Sequence, residues 1–396
     1  MSFFELLQIA IGNRVQFSQT PTEEEWRELF ALSRKQAMAG IAFHGVERLS
    51  EEQRPPKALL MQWYMMTERI KAMNADLDRK ALAVANKFLG EGFPGMILKG
   101  QGIAQLYLIN KNDNTDTKRA SVATTEPLGS QRSAACYPCC HPEEEFSILN
   151  SQFSIKKYRT PGDIDIWLKG ERKDILSYVR QHVPHCKPVY HHVDFPVIDG
   201  LDIEVHFTPT WMNSPITNRR LQQFFHSFNF QLSSSNYPEL PTPSLSFNRV
   251  YILVHIYRHL FAEGIGLRQL LDYYFVLSQG FTIEEREDTM RMLRSLKMQR
   301  FAGAVMWVLQ QVFAMDDRYQ LTAPDEREGR FLLSEIMQAG NFGQHDERLQ
   351  HEQGESTLHW GWRKVKRNFR FVRSYPSEVL WSPLFKVWHY VWRRRL

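Results

Sequence analysis

Apolar positions in the first ninety residues recur at three- and four-residue intervals, the period of a helix with one buried side. Thr22-Glu23-Glu24-Glu25 reads as a capping box, and it opens a segment with Trp26, Leu29, Phe30 and Ser33 at helical spacing. Ser50-Glu51-Glu52-Gln53 offers a second start, and Pro55 and Pro56 suit the first turn of a long helix reaching about Leu89. The Gly/Pro-rich stretch 90–95 breaks that helix. Met96-Ile97-Leu98 then reads as a short buried strand ending at Lys99-Gly100, and another helix starts within 101–108. Further on, 211–230 reads as helix, and 233–246 as a Ser/Pro-rich linker. Residues 250–262 are apolar on nearly every side, as in a helix buried all round. More helix follows from 267 through Leu333, and 340–357 reads as a charged, flexible connection.

Two segments alternate with period two instead. In Gly162-Asp163-Ile164-Asp165-Ile166, both aspartates project from one face of a strand, while Ile164, Ile166 and Leu168 take the other. In Leu201-Asp202-Ile203-Glu204-Val205-His206, the residues Asp202, Glu204 and His206 share a face opposite Leu201, Ile203, Val205 and Phe207. If these strands are neighbours, three or four carboxylates converge. Such a patch calls for cations, and oxygen donors suit Mg²⁺ or Mn²⁺. Two such ions could activate an attacking oxygen and hold nucleotide phosphates for in-line displacement. Either segment alone is better explained as a solvated strand face; the pair together favours a metal site.

The remaining chemistry is weaker. Cys136, Cys139, Cys140 and His141 offer zinc-type donors inside a polar insertion at about 110–154, but no second pair completes a tetrahedral set, so incidental thiols fit better. Cys186 stands alone beside His185. His255 and His259 lie one helical turn apart with no third ligand after them, which favours core or interdomain histidines over a metal pair. Arg268 and Asp272, also one turn apart, can form an internal ion pair, or Arg268 can face a substrate phosphate.

Composition changes the picture in one place. The formal charge is +5 over 396 residues, yet from His359 onward there are ten Lys/Arg and a single acid, Glu378, so the rest of the chain is net acidic. Aromatics interleave with that basic tail: Trp360, Trp362, Phe369, Phe371, Trp381, Phe385, Trp388, Tyr390 and Trp392. A helix packed on the body is the first expectation for it; an anionic membrane surface or nucleic acid is the alternative partner. There is no apolar run of about 18 residues, and the N-terminus lacks the basic start and small-residue cleavage site of a signal peptide. The expected location is cytoplasmic.

Ile97-Leu98-Lys99-Gly100, Gly162-Asp163-Ile164-Asp165, Ile203-Glu204-Val205-His206 and Gly264-Ile265-Gly266-Leu267-Arg268-Gln269-Leu270-Leu271-Asp272, in that order, resemble the uncharacterised nucleotidyltransferase family. That family belongs to the DNA polymerase beta nucleotidyltransferase superfamily. The resemblance spans about 60–277 and implies an α/β (α+β) fold, a small mixed sheet flanked by helices. It implies that Asp163, Asp165 and Glu204 are the catalytic, metal-binding carboxylates for Mg²⁺ or Mn²⁺. It puts Lys99 and Gly100 at the phosphate loop, with Gly162 and Arg268 toward the nucleotide. His206 and Asp272 are candidate substrate contacts. Gln101 departs from the small residue usual after the glycine, and the interval from Gly100 to Asp163 is long because it holds the insertion.

The expected layout is a helical region 1–92, a nucleotidyltransferase core 93–232, a second helical domain 245–340 and the tail 341–396. The expected activity is transfer of a nucleotidyl group from an NTP to an acceptor hydroxyl on a small molecule, protein or RNA, with Glu204 also able to take the acceptor's proton. The alternative is a catalytically silent module of the same ancestry acting through a partner.

Overall fold

Capping chemistry fixes the first helices. In the computed structural model, which describes residues 2–108, 154–197, 201–228, 230, 239–346, 348 and 356–394, Thr22 and Glu25 bond reciprocally and open α2 (Glu23–Lys35). The insertion and its Cys/His cluster lie outside these residues, apart from Ser154. Around α2 lie α1 (Ser2–Ile11) and α3 (Ala39–Glu47). Gly45 lets those two meet closely, since a Cβ there would stand 2.6 Å from the Leu6 carbonyl oxygen. The Ser50 start yields a single 3-10 turn at Glu51–Gln53. Prolines 55 and 56 push the residues before them out of helical geometry, and the long α4 (Lys57–Gly90) begins directly after Pro56.

Four short strands follow: β1 (Gly95–Ile97), β2 (Ile164–Leu168), β3 (His192–Asp194) and β4 (Ile203–His206). Their order is β1-β2-β4-β3, with β2 and β4 parallel and the outer pairs antiparallel, so the sheet is mixed as expected. A parallel pair needs a crossover, which α6 (Arg172–His182) and β3 supply; a short α5 (Gln101–Ala104) follows β1. Ile164, Ile166, Leu168, Ile203, Val205 and Val193 form one apolar face. It packs on Leu77, Val84 and Phe88 of α4 and on Ile175 and Val179 of α6.

The opposite face, which carries the acids, is covered by helices. After α7 (Pro215–His226) comes α8 (Leu245–Ala262), buried along most of its length as its apolar circumference requires. Then follow α9 (Leu267–Ser278), α10 (Ile283–Ser295), α11 (Gln299–Phe313), α12 (Glu326–Ala339), α13 (Thr357–Phe369) and α14 (Pro376–Arg393). Helix α1 packs on α11, so the helical regions from the two ends of the chain share one apolar core around the sheet. The helix expected from Trp211 starts only at Pro215. Residues 213 and 214 instead turn their N–H groups to the Glu378 carboxylate of α14, at 2.8 and 3.4 Å.

A buried fork ties the sheet to these helices. Arg159, just ahead of β2, donates through Nε and Nη2 to both carboxylate oxygens of Asp272 on α9, each at 2.8 Å, and the Tyr107 hydroxyl donates to the same group. Asp272 therefore pairs with Arg159 rather than with Arg268, because the planar guanidinium of Arg159 meets it end-on. Removing one partner of such a pair strands a buried charge, so Arg159→Met should lower unfolding stability by about 3–5 kcal/mol in a urea titration.

His44, on α3 and turned toward the Ala10 carbonyl of α1, sets a pH dependence. Burial holds it down to about 4, against the pull of the Ala10 carbonyl 2.7 Å from Nδ1; the nearby Arg48, Lys157 and Lys71 charges also lower it. The unfolded state, with an ordinary imidazole near 6.5, then binds more protons between pH 6.5 and 4. Stability from this group is present above 6.5 and is lost as pH falls toward 4. Urea titrations across that window should show a slope that His44→Gln reduces, by about 3 kcal/mol over the whole range.

Candidate functional site

The parallel register brings the two acidic strands together. Asp165 stands opposite Glu204, Ile166 opposite Val205 and Trp167 opposite His206. Asp163, just before β2, joins them through Lys99, whose Nζ lies 3.2 Å from Asp163 Oδ2 and 3.1 Å from Asp165 Oδ2. Lys99 reaches this point because β1 ends two residues earlier, at Ile97, and the chain then turns tightly at Gly100, φ +59°, a conformation that favours glycine. On the other side, His206 Nε2 lies 3.0 Å from Asp165 Oδ1 and 3.3 Å from Glu204 Oε2. His192 Nδ1 of β3 lies 3.3 Å from the same Glu204 oxygen.

Two buried cations thus face three carboxylates. Burial opposes a charged Lys99, yet Asp165, Asp163 and Glu204 together raise it well above an ordinary amine. Burial likewise opposes a protonated His206, but its bonds to Asp165 and Glu204 lift it to about 9. Burial would raise Glu204; the hydrogen bond and charge of His206, with His192 and Lys99, hold it down near 2. His192 is lowered by burial. At neutral pH the centre holds an ionised Glu204 beside a protonated His206 and Lys99.

These residues line a cavity of about 830 Å³, with Asp202, Asp194 and Gly162 also on its wall. Its far side is a stripe of α8: His255, Arg258, His259 and Ala262, at helical spacing. The two histidines therefore face the cavity, not a core. Burial holds His255 well below its ordinary value. Arg258 lies over the Trp211 ring, 4.0 Å from its centroid, and donates to Asn213 Oδ1 at 3.1 Å; burial lowers it to about 10. Arg268 donates to the carbonyls of Thr160 and Pro161 at 3.2 and 3.1 Å and lines the cavity. A Cβ on Gly162 would stand 3.3 Å from its Nη1, so glycine admits the guanidinium there. Gly100 and Asp272 border only a small adjoining recess of about 20 Å³, and both oxygens of Asp272 are already engaged.

Part of the connection expected to be flexible forms the remaining wall. Asn341, Phe342 and Gln344 line the cavity. Phe342 holds φ +50°, its ring centroid 5.3 Å from the Arg268 guanidinium and 5.1 Å from the His259 ring. The Gly264-Ile265-Gly266 turn makes room for this segment: a Cβ on Gly266 would meet Asn341 Cα at 2.8 Å. Sequence reasoning missed this wall, and also His191, His192 and Asp194. Only β3 left a signal, the alternation of Val193 and Phe195 with His192 and Asp194.

The donor set suits a divalent cation. Ligand atoms of Asp165, Glu204 and His206 lie within 4.8 Å of one another, as do those of His192, Asp194 and Glu204, and Asp163 faces the same space through Lys99. Hard carboxylate oxygens fit Mg²⁺ or Mn²⁺, and imidazole nitrogen leans toward Mn²⁺.

A family model described as an uncharacterised nucleotidyltransferase matches residues 22–108 and 153–314, more than half of the chain. No curated protein and no solved structure matches it. The matched residues contain Lys99, Asp163, Asp165, Glu204, His206 and Arg268. The chain belongs to the uncharacterised nucleotidyltransferase family.

Proposed function

We propose that this protein transfers a nucleotidyl group from an NTP to an acceptor hydroxyl with Mg²⁺ or Mn²⁺ bound at Asp163, Asp165 and Glu204. The parallel register that sets Asp165 against Glu204, beside Asp163 at the mouth of a large cavity, carries this reading. The bound ion would polarise the α-phosphate and the attacking oxygen. Arg268 and Lys99 contact the phosphates, and Gly162 allows the chain to approach them closely. The acceptor oxygen bonds to the α-phosphorus, the bond to the bridging oxygen of the β-phosphate breaks, and pyrophosphate leaves. Glu204, ionised down to about pH 2, is better suited to ligation than to taking the acceptor's proton, which passes to pyrophosphate or solvent. His206 holds Asp165 and Glu204 in register.

One observation favours a second reading. Lys99 already bridges Asp163 and Asp165, as it would in a silent module that keeps its acids without a metal. Calorimetry with Mn²⁺ and each NTP in turn separates the two. The enzyme should bind Mn²⁺–NTP, and Asp163→Asn/Asp165→Asn should weaken binding by about a hundredfold or more, the scale of losing two charged ligands. A folded wild type that binds neither metal nor nucleotide would leave the silent module standing.

Arg268 gives a narrower test. Arg268→Met should weaken NTP binding about tenfold or more while Mn²⁺ binding in the absence of nucleotide stays unchanged. Equal loss of both would assign Arg268 to the scaffold.

A further inference from the structure

Helix α14 has two apolar sides, and only one of them meets protein. The inner side is committed to the body. Glu378 caps residues 213 and 214, Phe385 stacks on Trp211 at 5.9 Å and meets Tyr190 edge-on at 5.8 Å, and Val379 and Ser382 are buried. At about 100° per residue, Leu380, Leu384, Val387 and Val391 fall on the opposite side. They are 61, 58, 65 and 43% exposed. Trp381 and Trp388 flank them along one edge and Tyr390 along the other, all exposed. The result is an apolar sector about half the circumference wide and about 17 Å long, facing solvent. Isolated exposed apolar residues are ordinary; a continuous sector of this width marks an interaction surface.

Charge and edge chemistry select the partner. Glu378, the one acid of α14, is turned inward and buried. Arg393 and Arg394 are exposed at the C-terminal end, and the Arg394 guanidinium lies 4.4 Å from the Tyr390 ring centroid. The 4-3-4 spacing of Leu380, Leu384, Val387 and Val391 also suits a coiled-coil seam. Such seams, however, carry charged residues on their flanks to set the partner, and here the flanks hold Trp381, Trp388, Pro383 and Tyr390. Aliphatic side chains at the centre, Trp and Tyr at the rim and Arg beyond follow the layers of a bilayer surface: acyl chains, headgroup level and anionic groups.

We propose that the outer face of α14 docks on an anionic lipid bilayer, with the helix lying in the plane of the surface. None of the described helices is long and apolar enough to cross a membrane, so the contact is peripheral. The docked helix would also steady the cavity wall, because its inner side holds Trp211 and Asn213, both of which contact Arg258.

Cosedimentation of the full chain with phosphatidylcholine vesicles, with and without phosphatidylglycerol, tests this. Binding is expected to the phosphatidylglycerol vesicles, to weaken as salt rises, and to fall about tenfold or more in Leu384→Glu/Val387→Glu. Both positions face solvent, so the variant should keep its melting temperature; Arg393→Glu/Arg394→Glu tests the charge contribution without touching the apolar sector. Undiminished binding in both variants, or equal binding to pure phosphatidylcholine, would overturn the proposal. So would absence of vesicle binding by the wild type. A dimer in sedimentation equilibrium that Leu384→Glu/Val387→Glu dissolves would, in that case, make the face a contact between two copies.

Discussion

Three carboxylates drawn into one largely buried patch repel one another unless positive charge is built in with them, and the rest of the site answers that demand. Lys99 meets Asp163 and Asp165 from the β1 side, and His206 meets Asp165 and Glu204 from within β4. Burial opposes the charges on Lys99, His206 and Glu204, and the oppositely charged partners of each offset it. The strand order follows from this. Only with β2 between β1 and β4 can Asp165, 1% exposed, touch both cations. A divalent ion at these oxygens would take over the neutralisation that Lys99 performs, leaving an ammonium at the cavity edge where phosphates would lie.

The sheet and its acids were legible because they rest on local rules. Period-two alternation fixed which side of β2 and β4 the acids take, and the capping box and prolines fixed α2 and α4. The outlines of the cavity were not legible, because they depend on packing between distant segments. His255 and His259 read as core or interdomain on a helix that is apolar all round, but the stripe they share with Arg258 faces the cavity that the acids line. The Arg268–Asp272 pair failed for a related reason: spacing along a helix shows which side chains can meet, not that Arg159, from 113 residues away, arrives with better geometry. Strand β3 left only a faint alternation, His192 and Asp194 against Val193 and Phe195, because it is three residues long.

Glycines convert the backbone into part of the site in two ways. At Gly100 a left-handed turn directs the chain away from β1 so that Lys99 points back at the acids. At Gly264 and Gly266 the absent side chains let the 340–344 segment press against the start of α9. That contact explains why Phe342 can hold a positive φ, which a bulky residue adopts only when its surroundings dictate it. Arg268 and His259 lie close to the ring it presents.

The family match divides these parts along the chain. Residues 22–108 and 153–314, the stretches that match the family, supply the carboxylates, Lys99, His206, the α8 stripe and Arg268. Phe342 and its neighbours, and α14 behind Trp211, lie beyond them. A carboxylate centre with its cations needs the same register whatever the substrate. Phe342 presents a flat apolar ring to the cavity, and α14 sets the Trp211 plane on which Arg258 rests. The acids therefore lie inside the family match, while part of the wall around them, Phe342 and the helix behind Trp211, lies outside it.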